Sequence, residues 1–346
     1  MKKISKLYKW ILLAIIFQFC ILIYINNVIL NTAATVSVTN VDVKTKLATG
    51  DFKVPEDAQS VSLSFNAKFG AYLQDGVLHI INTDNNKDKK VAGEGKDKIT
   101  YFRWLPDRDM VIFSSDTKDG KNGTIQLSTY EADSETARDY PEISDLASKS
   151  QVMDIELSPY TNVVYAKIKT SKTKSKIVRF NIMSQYAHIM DLGADAIVRE
   201  CIYVNKFVYQ NKGESIYIYD GINRIKNKIP IDAANVRVLD IDLNDTLYIG
   251  ILDASGKVTK IYHQKIIDQK PTDNWTKVVL KESTSSDNII ISGNGNIYVN
   301  NKDENKVINV TNDRKASYRG EFIEVLAGAL VSKDGNKVNI TSLKEY

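Results

Sequence analysis

The sequence of 346 residues contains only two cysteines, six prolines and three histidines. Cys20 lies in an apolar segment and Cys201 lies far along the chain, so they indicate neither a disulfide framework nor a metal site. Gly-x-Ser-x-Gly, His-Glu-x-x-His and phosphate-binding loop motifs are also missing. We therefore predict no catalytic residue, no metal and no cofactor.

A charge excess of either sign is missing from most of the chain. The formal net charge is +4, and Lys2, Lys3, Lys6 and Lys9 account for all of it. Because this excess lies at one terminus rather than on the surface of a domain, we expect no nucleic-acid partner.

One long apolar segment runs from Trp10 to Leu30. As a helix it would be about 31 Å long, close to the hydrocarbon thickness of a bilayer. The lysines before it favour a cytoplasmic N-terminus. The sequence thus predicts a cytoplasmic tail (1–9), a transmembrane signal-anchor helix (10–30) and an extracellular C-terminal domain in the cell envelope.

Two alternatives to an uncleaved anchor stay open. A cleaved signal peptide could end near Thr32-Ala33-Ala34, although the apolar segment is long for one. A lipoprotein signal at Cys20 is disfavoured because the bulky Phe17 and Phe19 stand where small residues are needed.

Helical periodicity is missing after the first 58 residues. Instead, apolar and polar residues alternate in segments such as SVSLSF, TIQLSTY and SIYIYD, which is typical of half-buried strands. Asp75-Gly76 and Asp334-Gly335 are hairpin-turn signals. We interpret residues 31–58 as a stalk with a possible ring-closing strand, residues 59–346 as an all-β domain, and residues 131–150 as a long connection.

Three strands recur in the same order about every 44 residues, which is the repeat length of β-propeller blades. The predicted first strands are Val61–Phe65, Ile99–Trp104, Val152–Leu157, Val198–Val204, Val236–Leu243, Asn288–Ser292 and Glu324–Ala327. This spacing predicts about seven blades, with six or eight as alternatives. The last unit has only three strands, so a strand within residues 43–54 is expected to close the ring.

Two of these units resemble a known repeat. Phe102-Arg103-Trp104-Leu105-Pro106-Asp107, followed by Val111–Ser115, resembles the TolB-type, WD40-like (PD40) propeller repeat. Residues 155–160, followed by residues 163–166, are a weaker copy with Tyr160 in the place of the aspartate. The resemblance implies a propeller and transfers no activity, because such folds perform many functions.

Charged residues on the predicted first strands form the candidate ligand site. Innermost propeller strands pack tightly, so charges there are unusual, and they could line a central funnel for an anionic or sugar-like ligand. The alternative is that they are ordinary solvated strand ends. The residues concerned are Arg103, Asp154, Glu156, Arg199, Glu200, Arg237 and Asp240, with the three arginines at similar places in their units.

Other chemistry-bearing residues have simpler interpretations. His79, His188 and His263 fall on third or fourth strands of different units, so we expect them to be structural. Asp240–Asp245 has the alternating oxygens of a calcium loop but lacks its glycine and distal glutamate, and we interpret it as a strand with one polar face. Tyr160, Tyr217 and Tyr219 could stack on a ligand or pack across strands.

The function predicted from these features is that of a non-catalytic scaffold or recognition module with an envelope protein or glycan as its partner. The alternative is an enzyme acting on envelope polysaccharide or peptidoglycan, which would need carboxylates of perturbed pKa in the central cleft. A third hypothesis is a structural spacer, which an exposed apolar patch on one propeller face would favour.

Overall fold

A computed structural model describes residues 2–24, 51–93, 98–119, 122–181, 183, 185–266, 274–326 and 328–343. The chain divides into two compact units, residues 1–45 and residues 46–346. In the first unit, helix α1 (Lys2–Tyr24) contains no glycine or proline, which suits an uninterrupted helix. Over the described residues, no helix has both the length and the apolar character needed to cross a membrane. Residues 25–30 of the predicted anchor and residues 31–50 of the stalk lie outside this description.

The second unit consists of seven antiparallel sheets. Strand β1 (Asp51–Lys53) precedes the first of them. Blade 1 contains β2 (Gln59–Leu63), β3 (Phe69–Gln74), β4 (Val77–Asn82) and β5 (Asp88–Ala92). Blade 2 contains β6 (Lys98–Trp104), β7 (Met110–Asp119), β8 (Asn122–Glu131), β9 (Thr136–Asp139) and β10 (Ile143–Ala147). Blade 3 contains β11 (Gln151–Ser158), β12 (Val163–Lys169), β13 (Lys174–Phe180) and β14 (Tyr186–Gly193).

The remaining blades follow the same order from the innermost to the outermost strand. Blade 4 contains β15 (Ile197–Glu200), β16 (Lys206–Gln210), β17 (Tyr217–Asp220) and β18 (Ile225–Lys228). Blade 5 contains β19 (Val236–Ile241), β20 (Thr246–Leu252), β21 (Val258–Lys265) and β22 (Thr276–Thr284). Blade 6 begins after a short 3-10 helix (Ser286–Asn288) and contains β23 (Ile289–Ile291), β24 (Ile297–Asn301), β25 (Lys306–Asn309) and β26 (Lys315–Ser317). Blade 7 contains β27 (Glu321–Leu326), β28 (Ala329–Asp334) and β29 (Lys337–Ser342).

These sheets form a seven-bladed β-propeller, which confirms the predicted fold class of this unit and all seven predicted first strands within a few residues. The Asp75-Gly76 turn between β3 and β4 has positive φ at both residues (53° and 76°), as a two-residue hairpin turn requires.

The interpretation of residues 131–150 as a connection was wrong. Strands β9 and β10 both pair with β8 and form a split outer edge of blade 2. The reason is that β8 is ten residues long, so its two halves accept separate short partners on either side of Pro141.

The second strands of the blades are buried on both faces, because each blade packs between two others. Strands β12 and β16 therefore have nearly continuous apolar sequences rather than alternating ones. The core consists of clusters that join neighbouring blades, such as Ile112 of blade 2 with Ile155 and Val178 of blade 3. Burial between blades is thus the main source of stability in this ring.

The ring closes through β1, which pairs with β29 as the fourth strand of blade 7. Phe52 lies opposite Val338 and is almost completely buried. Its ring lies against Gly70 of blade 1, where a Cβ atom would approach the ring to 3.0 Å. Phe52 is therefore part of a buried apolar cluster that fills the junction between the first and last blades.

We expect Phe52→Ala to lower the free energy of unfolding of the propeller by about 3 kcal/mol, because it leaves a cavity at the ring closure. Urea unfolding followed by circular dichroism measures this. The matched control is Asp51→Asn in the same strand, which affects only an exposed ion pair with Lys337 and should change stability by about 0.5 kcal/mol or less. Equal effects of the two substitutions would contradict the closure described.

Candidate functional site

Register shifts in the innermost strands direct polar side chains into the centre of the ring. They occur in five blades, and the residue that resumes the pairing after each shift is polar: Ser62, Tyr101, Asp154, Asp240 and Glu324. An extra residue in one strand re-aims the side chain that follows it. The innermost strands of these five blades therefore depart from simple alternation just before a polar residue.

Four charged residues occupy equivalent positions on the innermost strands of blades 2 to 5, with alternating signs. We name them the central arc: Arg103, Glu156, Arg199 and Asp240. Nη1 of Arg103 lies 2.9 Å from Oε1 of Glu156, and Nη1 of Arg199 lies 3.3 Å from the same oxygen. Nε of Arg199 lies 2.9 Å from Oδ1 of Asp240. Each ion pair joins two neighbouring blades.

Asp154 is a second carboxylate beside this arc. It lies 3.1 Å from Nη1 of Arg199 and accepts a hydrogen bond from the Tyr101 hydroxyl at 3.1 Å. Nη1 of Arg103 also donates to the carbonyl oxygen of Ile155 at 2.9 Å. Both guanidinium groups are therefore shared among several acceptors, an arrangement that suits their planar, multi-donor geometry.

Two carboxyl groups at the arc have raised pKa values. Burial raises the pKa of Glu156, which is 5% exposed, while Arg103 and Arg199 act in the opposite direction. Burial also raises the pKa of Glu200 well above its usual range. Neither carboxyl oxygen of Glu200 has a hydrogen-bond partner, so no hydrogen bond offsets the effect of burial on its pKa.

Of the seven residues of the predicted funnel, the structure brings five together in ion pairs, places Glu200 beside Glu156 and separates Arg237 from the rest. The prediction that Arg237 occupies a position similar to those of Arg103 and Arg199 was wrong. A register shift precedes Asp240, so Asp240 rather than Arg237 has the position equivalent to that of Arg199. Arg237 instead lines a cavity of about 680 Å³ between blades 4 and 5. Its nearest carboxylate is the exposed Asp287 at 3.9 Å. Ligand binding by these residues stays a prediction.

Sequence reasoning missed the role of Glu324, which lies at the junction of blades 7 and 1. Its carboxylate accepts hydrogen bonds from the backbone N–H of Leu63 at 2.8 Å and from the Ser62 hydroxyl at 3.3 Å. Glu156 accepts the N–H of Glu200 in the corresponding way, at 3.4 Å. Burial raises the pKa of Glu324 to about 7, against the effect of its two donors. No cation partners it among the described residues.

The remaining candidate residues are mostly structural. The three histidines lie on β4, β14 and β21 of separate blades, as predicted. We interpreted the Asp240–Asp245 segment as a strand with one polar face, but Asp242 lies outside strand β19. It lies in a turn, where it accepts the N–H groups of Asn244 and Thr246 and the Tyr248 hydroxyl. In the described parts of the chain, no three potential ligands group together to hold a metal ion.

The predicted tyrosines divide into two kinds. Tyr219 is buried, and Tyr217 stacks on Tyr209 with ring centroids 5.5 Å apart. Tyr160 is exposed and lies beside Tyr203, a neighbour that the sequence did not indicate.

Comparison with known proteins supports the architecture alone. No protein-family model and no curated protein matches the chain. The β-propeller domain of Cps50 (Swd1) from Myceliophteria thermophila is 13% identical with a TM-score of 0.54, and the match covers 86% of this chain and 99% of that one. A chain of the mitotic checkpoint complex is 10% identical with a TM-score of 0.54, covering 86% and 94%.

A structure of prolyl endopeptidases is also similar, with 12% identity and a TM-score of 0.50. The match covers 75% of this chain but only 42% of the peptidase chain. At these identities the similarity establishes the propeller fold and no activity.

We expect Arg199→Ala to destabilise the propeller by about 2 to 4 kcal/mol, because it removes the cation of Asp240 and one of the two cations beside Asp154 and Glu156. Urea unfolding measures the change. Arg237→Ala is the matched control on a neighbouring innermost strand, and because its ion pair is long and exposed the expected loss is about 0.5 kcal/mol or less. Similar losses would show that the arc has no special role in joining the blades.

We expect the stability of the propeller to depend on pH through Glu324. Its pKa is raised from an ordinary value of 4.5 to about 7, so the folded state holds a proton that the unfolded state releases between these pH values. Its contribution to stability is therefore present below pH 4.5 and lost as the pH rises through 7.

The test of this dependence is Glu324→Gln, which keeps an acceptor oxygen for Leu63 and Ser62. Between pH 5 and 8 the wild type should lose about 1 to 3 kcal/mol relative to this variant. Glu321→Gln, on the exposed end of the same strand, should follow the wild type. A constant difference across the pH range would show that Glu324 does not titrate there.

Proposed function

We propose that this protein is a membrane-anchored, non-catalytic recognition or scaffold module of the cell envelope. The observation that carries the proposal is the state of the central charges. Two arginines and three carboxylates engage one another across four blades, so each of these charges already has a partner of opposite sign within the protein. Such groups rigidify a platform better than they perform acid–base chemistry on a substrate.

The anchoring part of the proposal draws on the N-terminal segment. Helix α1 includes the first fifteen residues of the predicted anchor, and its large apolar side chains are exposed, with Trp10 at 70% and Phe17 at 67%. Exposed apolar side chains in such a run are costly in water and favourable in hydrocarbon. The lysines that precede them support an N-terminus in the cytoplasm and a propeller outside.

Kinship with TolB-type, WD40-like (PD40) propellers also belongs to this proposal. The motif that suggested it falls at the hairpin between β6 and β7, where Leu105 closes the turn by donating its N–H to the Met110 carbonyl oxygen. That is the turn between the first and second strands of a blade, which agrees with the placement expected from the repeat.

An enzyme acting on envelope polysaccharide or peptidoglycan is the second candidate. The raised pKa values of Glu156 and Glu200 favour it in one respect, because perturbed carboxylates cluster at active sites. Both side chains are buried, however, and Glu156 lies behind two arginines. A substrate would have to displace the central arc to reach them.

The topology can be tested by cysteine labelling of intact cells with a membrane-impermeant maleimide. Cys201 is fully buried, so a cysteine introduced at the exposed Lys281 provides the signal from the propeller. We expect Lys281→Cys to label in intact cells and Lys3→Cys to label only after permeabilisation. The reverse pattern would mean that the orientation is wrong.

The two candidate functions can be separated with purified peptidoglycan and the full-length protein. The recognition hypothesis predicts no new reducing ends or soluble fragments on incubation, whether or not the glycan binds. Release of fragments that is abolished by Glu156→Gln, in a variant that remains folded by circular dichroism, would support the enzyme instead.

A further inference from the structure

The exposed large apolar side chains of the propeller are concentrated in one region. Seven of the nine such residues in the described propeller lie in or beside turns of blades 3, 4 and 5. Six belong to blades 3 and 4, and we name this set the apolar turn surface: Tyr160, Met183, Tyr186, Tyr203, Ile222 and Ile225. Leu243 adjoins it in blade 5.

These residues share one face of the ring. Successive strands of a blade run in opposite directions, so the turn after the first strand and the turn after the third lie at the same end. Tyr160 and Tyr203 lie in turns of the first kind, while Met183 and Ile222 lie in turns of the second kind. The corresponding described turns of blades 1, 2, 6 and 7 expose no large apolar side chain.

The two tyrosines form the inner part of this surface. Their ring centroids lie 4.4 Å apart at an interplanar angle of 41°. Tyr160 is 64% exposed and Tyr203 is 49% exposed, and a hydrogen bond between them raises the pKa of Tyr203. Rigid, adjacent, half-exposed tyrosines are characteristic of binding hot spots, because they offer a large contact area at low entropic cost.

A groove between blades 2 and 3 continues the same surface. It has a volume of about 340 Å³, and its lining includes the buried Leu105 and Val164 together with Pro159, the residue before Tyr160. A groove of this size accommodates an apolar side chain of a partner. Its lining also includes the Asn162 amide, which can hydrogen-bond to a polypeptide, and the charged side chains of Arg108, Glu131 and Arg138.

The charge of the surface is basic. Arg224 and Lys226 flank Ile225 and are exposed, whereas Lys228 lies opposite Tyr217 at the far end of β18. Lys226 also lies over the Tyr217 ring, with Nζ 5.8 Å from the ring centroid. The nearby acidic groups are engaged internally: Asp220 accepts the N–H groups of Ile222 and Asn223, and the buried Asp245 accepts those of Ile202 and Tyr203. The surface is therefore complementary to an acidic partner.

We propose that the apolar turn surface of blades 3 and 4 is the docking site for a partner protein that presents acidic residues around apolar ones. This inference deepens the proposed recognition function and rests on it. The tyrosine pair and the groove favour a protein of defined shape over a lipid surface, because both are local relief that a fluid bilayer does not match.

The experiment is site-specific photo-crosslinking of the full-length chain in the membranes of cells that produce it naturally. Benzoyl-phenylalanine replaces Tyr203 or Met183 in the surface, and Val279, an exposed apolar residue outside it, serves as the matched control position. We expect a discrete protein adduct from the first two positions and none from Val279.

Charge reversal then tests the recognition chemistry. Arg224→Glu with Lys226→Glu should reduce the adduct about tenfold, whereas Lys302→Glu with Lys315→Glu in blade 6 should leave it unchanged. Circular dichroism and the unfolding midpoint confirm that both variants are folded. The proposal is overturned by the absence of an adduct, by equal adducts at Val279, by insensitivity to charge reversal, or by adducts with lipid only. Cysteine labelling at Lys281 reports on membrane topology independently, so a failure of the anchoring proposal would be recognised separately.

Discussion

Each sheet of this propeller has two apolar faces, and the rest of the structure depends on burying both. A four-stranded sheet alone leaves one face in water, and a row of sheets leaves the two end faces exposed. The ring removes this problem only when its first and last blades meet. Phe52 on β1 lies in that junction against Gly70, and β1 completes blade 7 by pairing with β29. A three-residue strand thereby makes the fold continuous.

The same demand for close packing explains why charges on the innermost strands are arranged so specifically. Glu156 is almost excluded from solvent there, so its charge depends on the two arginines beside it, which stay partly exposed. Alternating signs on successive blades allow each arginine to use the carboxylates of its neighbours, as Arg199 does with Glu156 and Asp240. At the junction of blades 7 and 1, outside this alternating series, Glu324 accepts hydrogen bonds from Leu63 and Ser62 instead of pairing with an arginine. Its burial raises its pKa to about 7, so it keeps its proton to a higher pH than an exposed glutamate does. Among the described residues, the central ion pairs thus join blades 2 to 5 and do not reach the closing junction.

With the charged residues of the centre paired with one another, the surface that we propose for recognition lies at the turns. Turn residues contribute little to the packing between blades, so they can vary without loss of the fold. In blades 3 and 4 the turns present tyrosine, methionine and isoleucine beside exposed basic groups, whereas the other half of the same face is polar. A rigid ring that holds an asymmetric face is what a recognition module requires.

The amino-acid sequence by itself determined the propeller, its seven first strands and the need for a closing strand, because strand alternation and turn residues are local and recur along the chain. It also indicated the unusual charges at Arg103, Glu156 and Arg199. Only the tertiary structure decided that Asp240, rather than Arg237, completes their arc, because a register shift of one residue leaves no mark in the composition of a strand. The split edge of blade 2, the role of Glu324 and the pairing of Tyr160 with Tyr203 were likewise decided in three dimensions. Each joins residues from different strands or blades, and no local pattern encodes which of them meet.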